Sequence, residues 1–369
     1  MKNTLICTVG TSLINNILRS EDLELKEAWN AKNYTQAVLS LLKYDPNHRL
    51  CGAEINSNTS IFEKKLLRER QRLYLMLSDT EDGERIGHLL KKYYDHNRNP
   101  LKFERVECVR IMGLTDSVPH KFRTAGLKNL VKEIAKIVQK HSARYVLINA
   151  TGGYKAQISF AGMIGQALQI PVCYLFEKFS EIIEMPPQPI SFDLSFWLKN
   201  VWLFFLLDEG IENLDEVDLD PRFDTLIDRI VDKAETLTAL SATGQLFHEA
   251  FKQHFVSRKE QFLPPDTNIA PQDKPIKYED SNEGKHPGLK NYLEKLREFP
   301  YVKRIYTHYY NPDLPKKNSF RPSSRGDVSH IEGIYSDGKA TTKFDLITTA
   351  RTELERDAAL ADLLTYVKK

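Results

Sequence analysis

At 369 residues the chain is long enough for two or three domains with cores of their own, and 41% of it is hydrophobic, as in globular proteins. No apolar run is long enough to span a bilayer and no basic, apolar, small-residue leader opens the chain, so a cytoplasmic protein without a membrane partner is expected. The net charge is only +2 but unevenly spread: residues 205–235 hold 11 acidic against 3 basic residues, and residues 301–343 hold 8 basic against 4 acidic. A basic C-terminal surface that meets a polyanion is the expectation.

In chain order, Leu5-Ile-Cys-Thr-Val9 reads as a strand, followed by the turn Gly10-Thr11-Ser12 and an amphipathic segment to Leu18. Residues 20–32 and 35–42 read as helices. Leu50 to Thr59 reads as a second strand ending in a polar turn, where Ser57, Asn58 or Thr59 caps the next helix or touches a ligand. Leu73 to Leu77 is a core strand, 83–96 a helix, and 103–111 a strand near a sheet edge. Residues 115–124 read as a loop, with Thr124 capping a helix whose apolar residues run from Leu127 to Val138 at helical spacing. The cysteines Cys7, Cys51, Cys108 and Cys173 sit in or beside these apolar stretches without a C-x-x-C pair, so buried free thiols are expected rather than disulfides or a zinc site.

Tyr145 to Ile148 then reads as a buried strand that runs into Asn149-Ala-Thr-Gly-Gly153 and a helix over 155–168. Strand, glycine turn and helix in that order aim backbone N–H groups and the positive end of a helix at an anion, and Lys155 adds a charge beside them. Residues 171–176 and 182–185 complete the alternation, which predicts an α/β fold with a mostly parallel sheet. Thr8-Val-Gly-Thr-Ser12 together with Asn149-Ala-Thr-Gly-Gly-Tyr-Lys155 resembles the CARF domains of CRISPR-associated effectors, Rossmann-like modules that bind cyclic oligoadenylate. The resemblance implies a sensor domain over 1–186. It implies a homodimer whose allosteric activator, first cyclic tetra-adenylate and second cyclic hexa-adenylate, meets Gly10, Thr11, Ser12, Asn149, Thr151, Gly152, Gly153, Tyr154 and Lys155.

Beyond the prolines at 186, 187 and 189, residues 192–207 are apolar nearly all round and predict a helix buried in a dimer or domain interface, or one that presents a docking surface. Residues 223–234 read as helical. Residues 237–251 loosely resemble the strand-then-helix tail of winged-helix modules, giving a helical, winged-helix-like middle segment over 190–263. Residues 264–288 read as a linker. A helix over 289–299, a strand over 302–310, a basic loop over 315–325, a hairpin turning at Ser336-Asp-Gly-Lys339 and a closing helix over 353–367 follow.

That C-terminal order, 285–369, resembles the RelE/HigB-like mRNA interferases, a small α+β fold. The resemblance implies a metal-independent endoribonuclease, without cofactor, that cuts mRNA on the ribosome by positioning the 2′-OH and stabilising charge at the scissile phosphate. The matching residues are Lys316 or Lys317 as base, Arg321 and Arg325 on the phosphate, His330 as base or leaving-group acid, and Lys343. Two other readings compete with it, the first on the same residues. Arg325-Gly-Asp-Val-Ser-His330 fits the R-x4-H pattern of HEPN ribonucleases, which act on free RNA, and residues 236–260 suit a ligand-controlled transcription regulator.

Overall fold

The computed structural model describes residues 2–176, 181–188, 194–210, 212–214, 219–232, 235–324 and 327–367. The chain divides into two compact units: Met1–Ile190 with Leu219–Asp228 and Ser241–Ala250, and Ser191–Asp218 with Arg229–Leu240 and Phe251–Lys369.

The first unit is built on strands β1 (Thr4–Thr8), β2 (Arg72–Leu77), β3 (Arg105–Arg110), β4 (Val146–Asn149), β5 (Val172–Tyr174) and β6 (Ile183–Met185), in the sheet order β3-β2-β1-β4-β5-β6. All neighbours pair parallel except β5 and β6. Helices cover both faces, so the central strands bury alternate residues in two different cores. Leu5, Cys7, Leu73 and Leu75 pack into one, and Ile6, Tyr74, Met76 and Ile148 into the other. Burial on both faces is why these strands read in the sequence as unbroken apolar runs. The strand order reverses between β1 and β4, and in open parallel sheets the crevice for a ligand lies at the carboxyl ends of the two strands flanking such a reversal. Cys7 pairs with Asn149, so β1 and β4 end level and their following turns emerge side by side.

Two expectations in this unit are corrected. Leu50 to Thr59 is no strand: a short 3-10 turn Arg49–Cys51 leads into the helix Gly52–Glu63. Gly52 at φ +79° makes the bend, and an added Cβ there would strike the Leu13 backbone. Ser57 and Asn58 lie in the middle of this helix, fully buried, and cap nothing. Residues 115–124 are not all loop either, because Pro119 opens a helical turn that continues through Phe122–Gly126 into the helix Leu127–His141. Proline is well suited to a first helical position, where its missing N–H has no partner to lose. Thr124 donates back to the His120 carbonyl at 2.9 Å and is not the cap. All four cysteines are free thiols; Cys108, on edge strand β3, is exposed while the others are buried.

Next along the chain come β7 (Glu212–Asn213), β8 (Ile227–Asp232) and β9 (Glu235–Leu240), a small sheet of order β7-β9-β8. The helix expected over 223–234 is thus replaced by a 3-10 turn, Pro221–Thr225, and by β8. Residues 233 and 234 lie outside the described residues. The strand-then-helix reading of 237–251 matches β9 and the helix Ala242–Arg258.

The second unit centres on a mixed sheet of order β10-β11-β14-β13-β12: β10 (Ile276–Tyr278), β11 (Val302–Asn311), β12 (Ser319–Pro322), β13 (His330–Ser336) and β14 (Thr341–Thr348). Only β10 and β11 pair parallel. The expected linker over 264–288 therefore contributes a strand, and the expected basic loop folds its second half into edge strand β12. The β13–β14 hairpin turns where Asp337 accepts the N–H groups of Lys339 and Ala340, each at 2.9 Å. These two donors, with His286 behind them, hold the Asp337 carboxyl at about 2. Tyr292 of the helix Leu289–Leu296 packs edge-on against Phe344. The apolar stretch expected as one interface helix is two helices, Leu194–Lys199 and Val201–Glu209. Their side chains form the interior of this unit: Trp197 is fully buried, stacked on Phe251 and tilted against Phe255. Among the described residues, no helix is long and apolar enough to cross a membrane.

Candidate functional site

The turn after β1 and the turn after β4 meet backbone to backbone. A Cβ on Gly10 would lie 2.5 Å from Gly153 N, and one on Gly152 would run into the Glu54 carboxyl group and the Thr8 carbonyl. Gly153 takes φ +105°, a conformation that glycine adopts without a steric cost. The Thr8 hydroxyl ties the two turns by donating to the Gly152 carbonyl at 2.5 Å.

Beneath this contact sits Glu54, fully buried in the helix Gly52–Glu63. Its Oε1 accepts the Gly10 N–H at 2.7 Å. Its Oε2 is buried without a hydrogen-bond partner among the described residues, as is Nε2 of the fully buried Gln157. Burial pushes the Glu54 carboxyl up to about 7, opposed only by the donated N–H groups of Gly10 and of Glu54 itself. Among the described residues no lysine or arginine forms an ion pair with it.

Asn149 works inward. Its amide donates to Ser57 Oγ and Asn58 Oδ1, both at 2.7 Å, and its carbonyl oxygen accepts from Thr151 N at 3.2 Å and Thr151 Oγ1 at 2.7 Å. Thr151 Oγ1 in turn accepts the Leu175 N–H at 3.0 Å. Asn149, Thr151 and Gly152 thus brace the turn, while Gly10, Thr11, Ser12, Gly153, Tyr154 and Lys155 lie at least partly open to solvent. Ser12 Oγ accepts the Ala53 N–H at 3.3 Å, fixing the first turn to the same helix. Tyr154 N donates to Gln157 Oε1 at 3.3 Å, and its ring meets Phe122 edge-on at 5.3 Å. Burial, followed by the nearby Asp116 charge, raises its phenol. Lys155 begins the 13-residue helix Lys155–Ala167 and is exposed. The assembly is a seat of two closely apposed backbone turns, a helix N-terminus and an ammonium group, chemistry that suits a phosphate.

Sequence reasoning found both turns and quoted Thr8 in the first motif without a role, but missed Glu54 and Gln157. A buried glutamate within a segment read as a strand left no periodic signal that marks it as part of the seat.

In the second unit the sequence-predicted catalytic residues separate. Lys316, Lys317 and Arg321 line one cavity of about 570 Å³. Arg321 is paired with Glu332, with Nε at 2.8 Å and Nη2 at 2.5 Å from Oε1, and remains exposed. Lys343 lies over the Tyr309 ring, Nζ 5.3 Å from its centre. His330 opens β13, with Nδ1 3.3 Å from both Asp327 Oδ2 and Ser329 Oγ. His330 pairs with Ile347, four residues along β14 from Lys343, which places the two roughly 14 Å apart at strand spacing. Arg325 lies outside the described residues.

Residues 49–188 match the family model described as CRISPR-associated protein (Cas_APE2256). The first unit therefore carries a CRISPR-associated sequence pattern, and the matched span includes Glu54 and the 151–153 turn. Among curated proteins none matches the chain. A similar solved structure is that of Can2 from Sulfobacillus thermosulfidooxidans in complex with cyclic tetra-adenylate, at 12% identity over 73% of this chain and 68% of that one, with a TM-score of 0.24.

Proposed function

We propose that the chain is a CRISPR-associated effector whose first unit binds a cyclic oligoadenylate, cyclic tetra-adenylate foremost. The observation that carries this reading is the pair of interlocked glycine turns at the strand-order reversal between β1 and β4, with Lys155 at their edge. A ring of phosphates and two-fold pseudo-symmetry suits a seat shared by two identical subunits, so the working unit is a homodimer. Ligand binding controls the second unit by favouring one dimer arrangement over another, since only differential affinity shifts such an equilibrium.

The second unit is read as a RelE-like, metal-independent endoribonuclease that cuts mRNA on the ribosome. An antiparallel core between two helices, with Lys316 and Lys317 exposed beside β12, supports that reading. The HEPN alternative places its histidine on a helix, whereas His330 is the first residue of a strand. The regulator alternative retains the strand and helix at 235–258 and predicts sequence-specific DNA binding without RNA cleavage.

RNA cleavage, measured with and without cyclic tetra-adenylate on free RNA and on programmed ribosomes, tests the reading. Stimulated cleavage that is strongest on ribosomes is the expected result; no stimulated cleavage of either substrate removes the nuclease part. Lys155→Glu is expected to weaken ligand binding roughly tenfold and to move half-maximal stimulation to a correspondingly higher ligand concentration. Exchanging a cation for an anion beside a phosphate costs on the order of 1–4 kcal/mol near a protein surface. Unchanged affinity in calorimetry would remove Lys155 from the seat.

A further inference from the structure

The cavity beside β12 has a composition that its mouth alone does not explain. Trp202, Phe205 and Leu206 of the helix Val201–Glu209 line it, and Phe320, Ile334 and Leu364 add to its apolar part. Lys316 and Lys317 stand on the rim, exposed and without an ion-pair partner among the described residues. Glu209 is the one acid among the lining residues. Lys316 is anchored by its own backbone, whose N–H donates to Ser336 Oγ at 3.4 Å, and Ser336 N donates to Asn318 Oδ1 at 2.7 Å. The rim is thereby pinned to the β13–β14 hairpin instead of swinging free.

An aromatic wall with two adjacent cations at its lip matches a flat, apolar group that carries anions on either side. A nucleobase in a phosphodiester chain is such a group. Only a base that is not stacked in a duplex can enter a cavity, so the chain must be single-stranded. At about 570 Å³ the space exceeds a single base and falls within the range of pockets that enclose small aromatic ligands. We propose that this cavity receives one unstacked base of a single-stranded RNA against Trp202, with the flanking phosphates on Lys316 and Lys317. The inference rests on the nuclease reading for its choice of RNA, and it gives the two lysines a binding role in place of the base role.

The test uses the full-length protein and a short RNA with 2′-O-methyl sugars, which binds but cannot be cut through its 2′-oxygen. Two forms are compared, one intact and one abasic at a single central position, by fluorescence anisotropy at fixed low salt. Wild type is expected to prefer the intact strand roughly five- to hundred-fold, the range of one base stacked on an aromatic ring. Trp202→Ala should bind both strands equally. Trp202→Phe, which keeps a ring, should restore the preference, and a cooperative thermal melt of Trp202→Ala shows that the alanine variant is folded. Lys316→Glu with Lys317→Glu should weaken both strands alike and flatten the salt dependence.

Equal affinity of wild type for the two strands overturns the proposal, as does a preference that survives Trp202→Ala. A DNA strand of the same sequence that binds more tightly than the RNA overturns the assignment to RNA. The outcomes separate from those of the nuclease reading. Stimulated cleavage that is unaltered in Trp202→Ala removes the cavity and spares the activity, whereas base preference without any stimulated cleavage removes the activity and spares the cavity.

Discussion

A Gly10→Ala protein is expected to bind cyclic tetra-adenylate at least about tenfold more weakly than wild type and to unfold at a lower temperature. The added methyl would sit 2.5 Å from the backbone nitrogen of Gly153 and 3.2 Å from its Cα, and neither atom can swing aside as a side chain could. Overpacking of this kind costs about 1–3 kcal/mol, and about 1.4 kcal/mol is already a factor of ten in affinity. Separating the turns also pulls the Gly10 N–H away from Glu54, breaking the 2.7 Å hydrogen bond beneath the seat. Gly162 is the control: it lies in the helix Lys155–Ala167, and a Cβ there meets nothing within 4 Å. Gly162→Ala should raise stability by about 0.5–1 kcal/mol and leave binding unchanged. Thermal melts and calorimetry on the two variants check both statements. Wild-type binding and melting in Gly10→Ala would mean that the turns are not in contact.

Glu54→Gln should change how stability and ligand affinity respond to pH. Burial holds the Glu54 carboxyl at about 7 when folded, against the ordinary carboxylate range near 4.3 when unfolded. Between those values the folded state holds a proton that the unfolded chain has released. This group's stabilising contribution is therefore complete below about pH 4 and is lost as pH rises through 7, by about 4 kcal/mol in all. The groups around the carboxyl do not rescue its charged form. Cys7 and Tyr94 face it, both fully buried, with their own ionisation pushed far up chiefly by burial and further by the Glu54 charge, so both stay neutral and neither offers a positive partner. Glutamine is isosteric, keeps an acceptor for the Gly10 N–H and cannot ionise. Urea denaturation from pH 5 to 8.5 should show wild type losing stability with rising pH and Glu54→Gln losing about 3 kcal/mol less. An anion on the seat adds to the same cost, so wild-type affinity should fall as pH rises through 7 while that of Glu54→Gln stays flatter. Parallel pH profiles for the two proteins would contradict a buried, titrating Glu54.

What the sequence disclosed follows from where each residue's partners lie. β1, β2 and β4 are buried on both faces, and Leu5 to Val9, Leu73 to Leu77 and Val146 to Ile148 are apolar for that reason. The glycine turns were legible because close backbone approach leaves a glycine wherever it occurs. The helix Gly52–Glu63 was not legible, since its buried side includes Glu54, Ser57 and Asn58, which serve Gly10 and Asn149 rather than an apolar core. Polar residues buried for distant partners erase the helical hydrophobic period. Edge strand β12 hid within a basic, proline-bounded segment, because an edge strand needs few apolar residues. The helices over 194–209 looked like an interface because they are apolar nearly all round, and the second unit buries most of those apolar side chains as core while Trp202 and Leu206 stay half-buried at the cavity. The separation of His330 from Lys343 depends on strand register, which spacing along the chain does not reveal.

The most direct measurement is a calorimetric titration of cyclic tetra-adenylate into the intact protein, repeated with Lys155→Glu and Gly10→Ala. Saturable binding with one ring per pair of chains, weakened at least about tenfold in each variant, is the result expected for a phosphate seat built from the two glycine turns. Heat indistinguishable from dilution for wild type, or equal affinity in all three proteins, would contradict it.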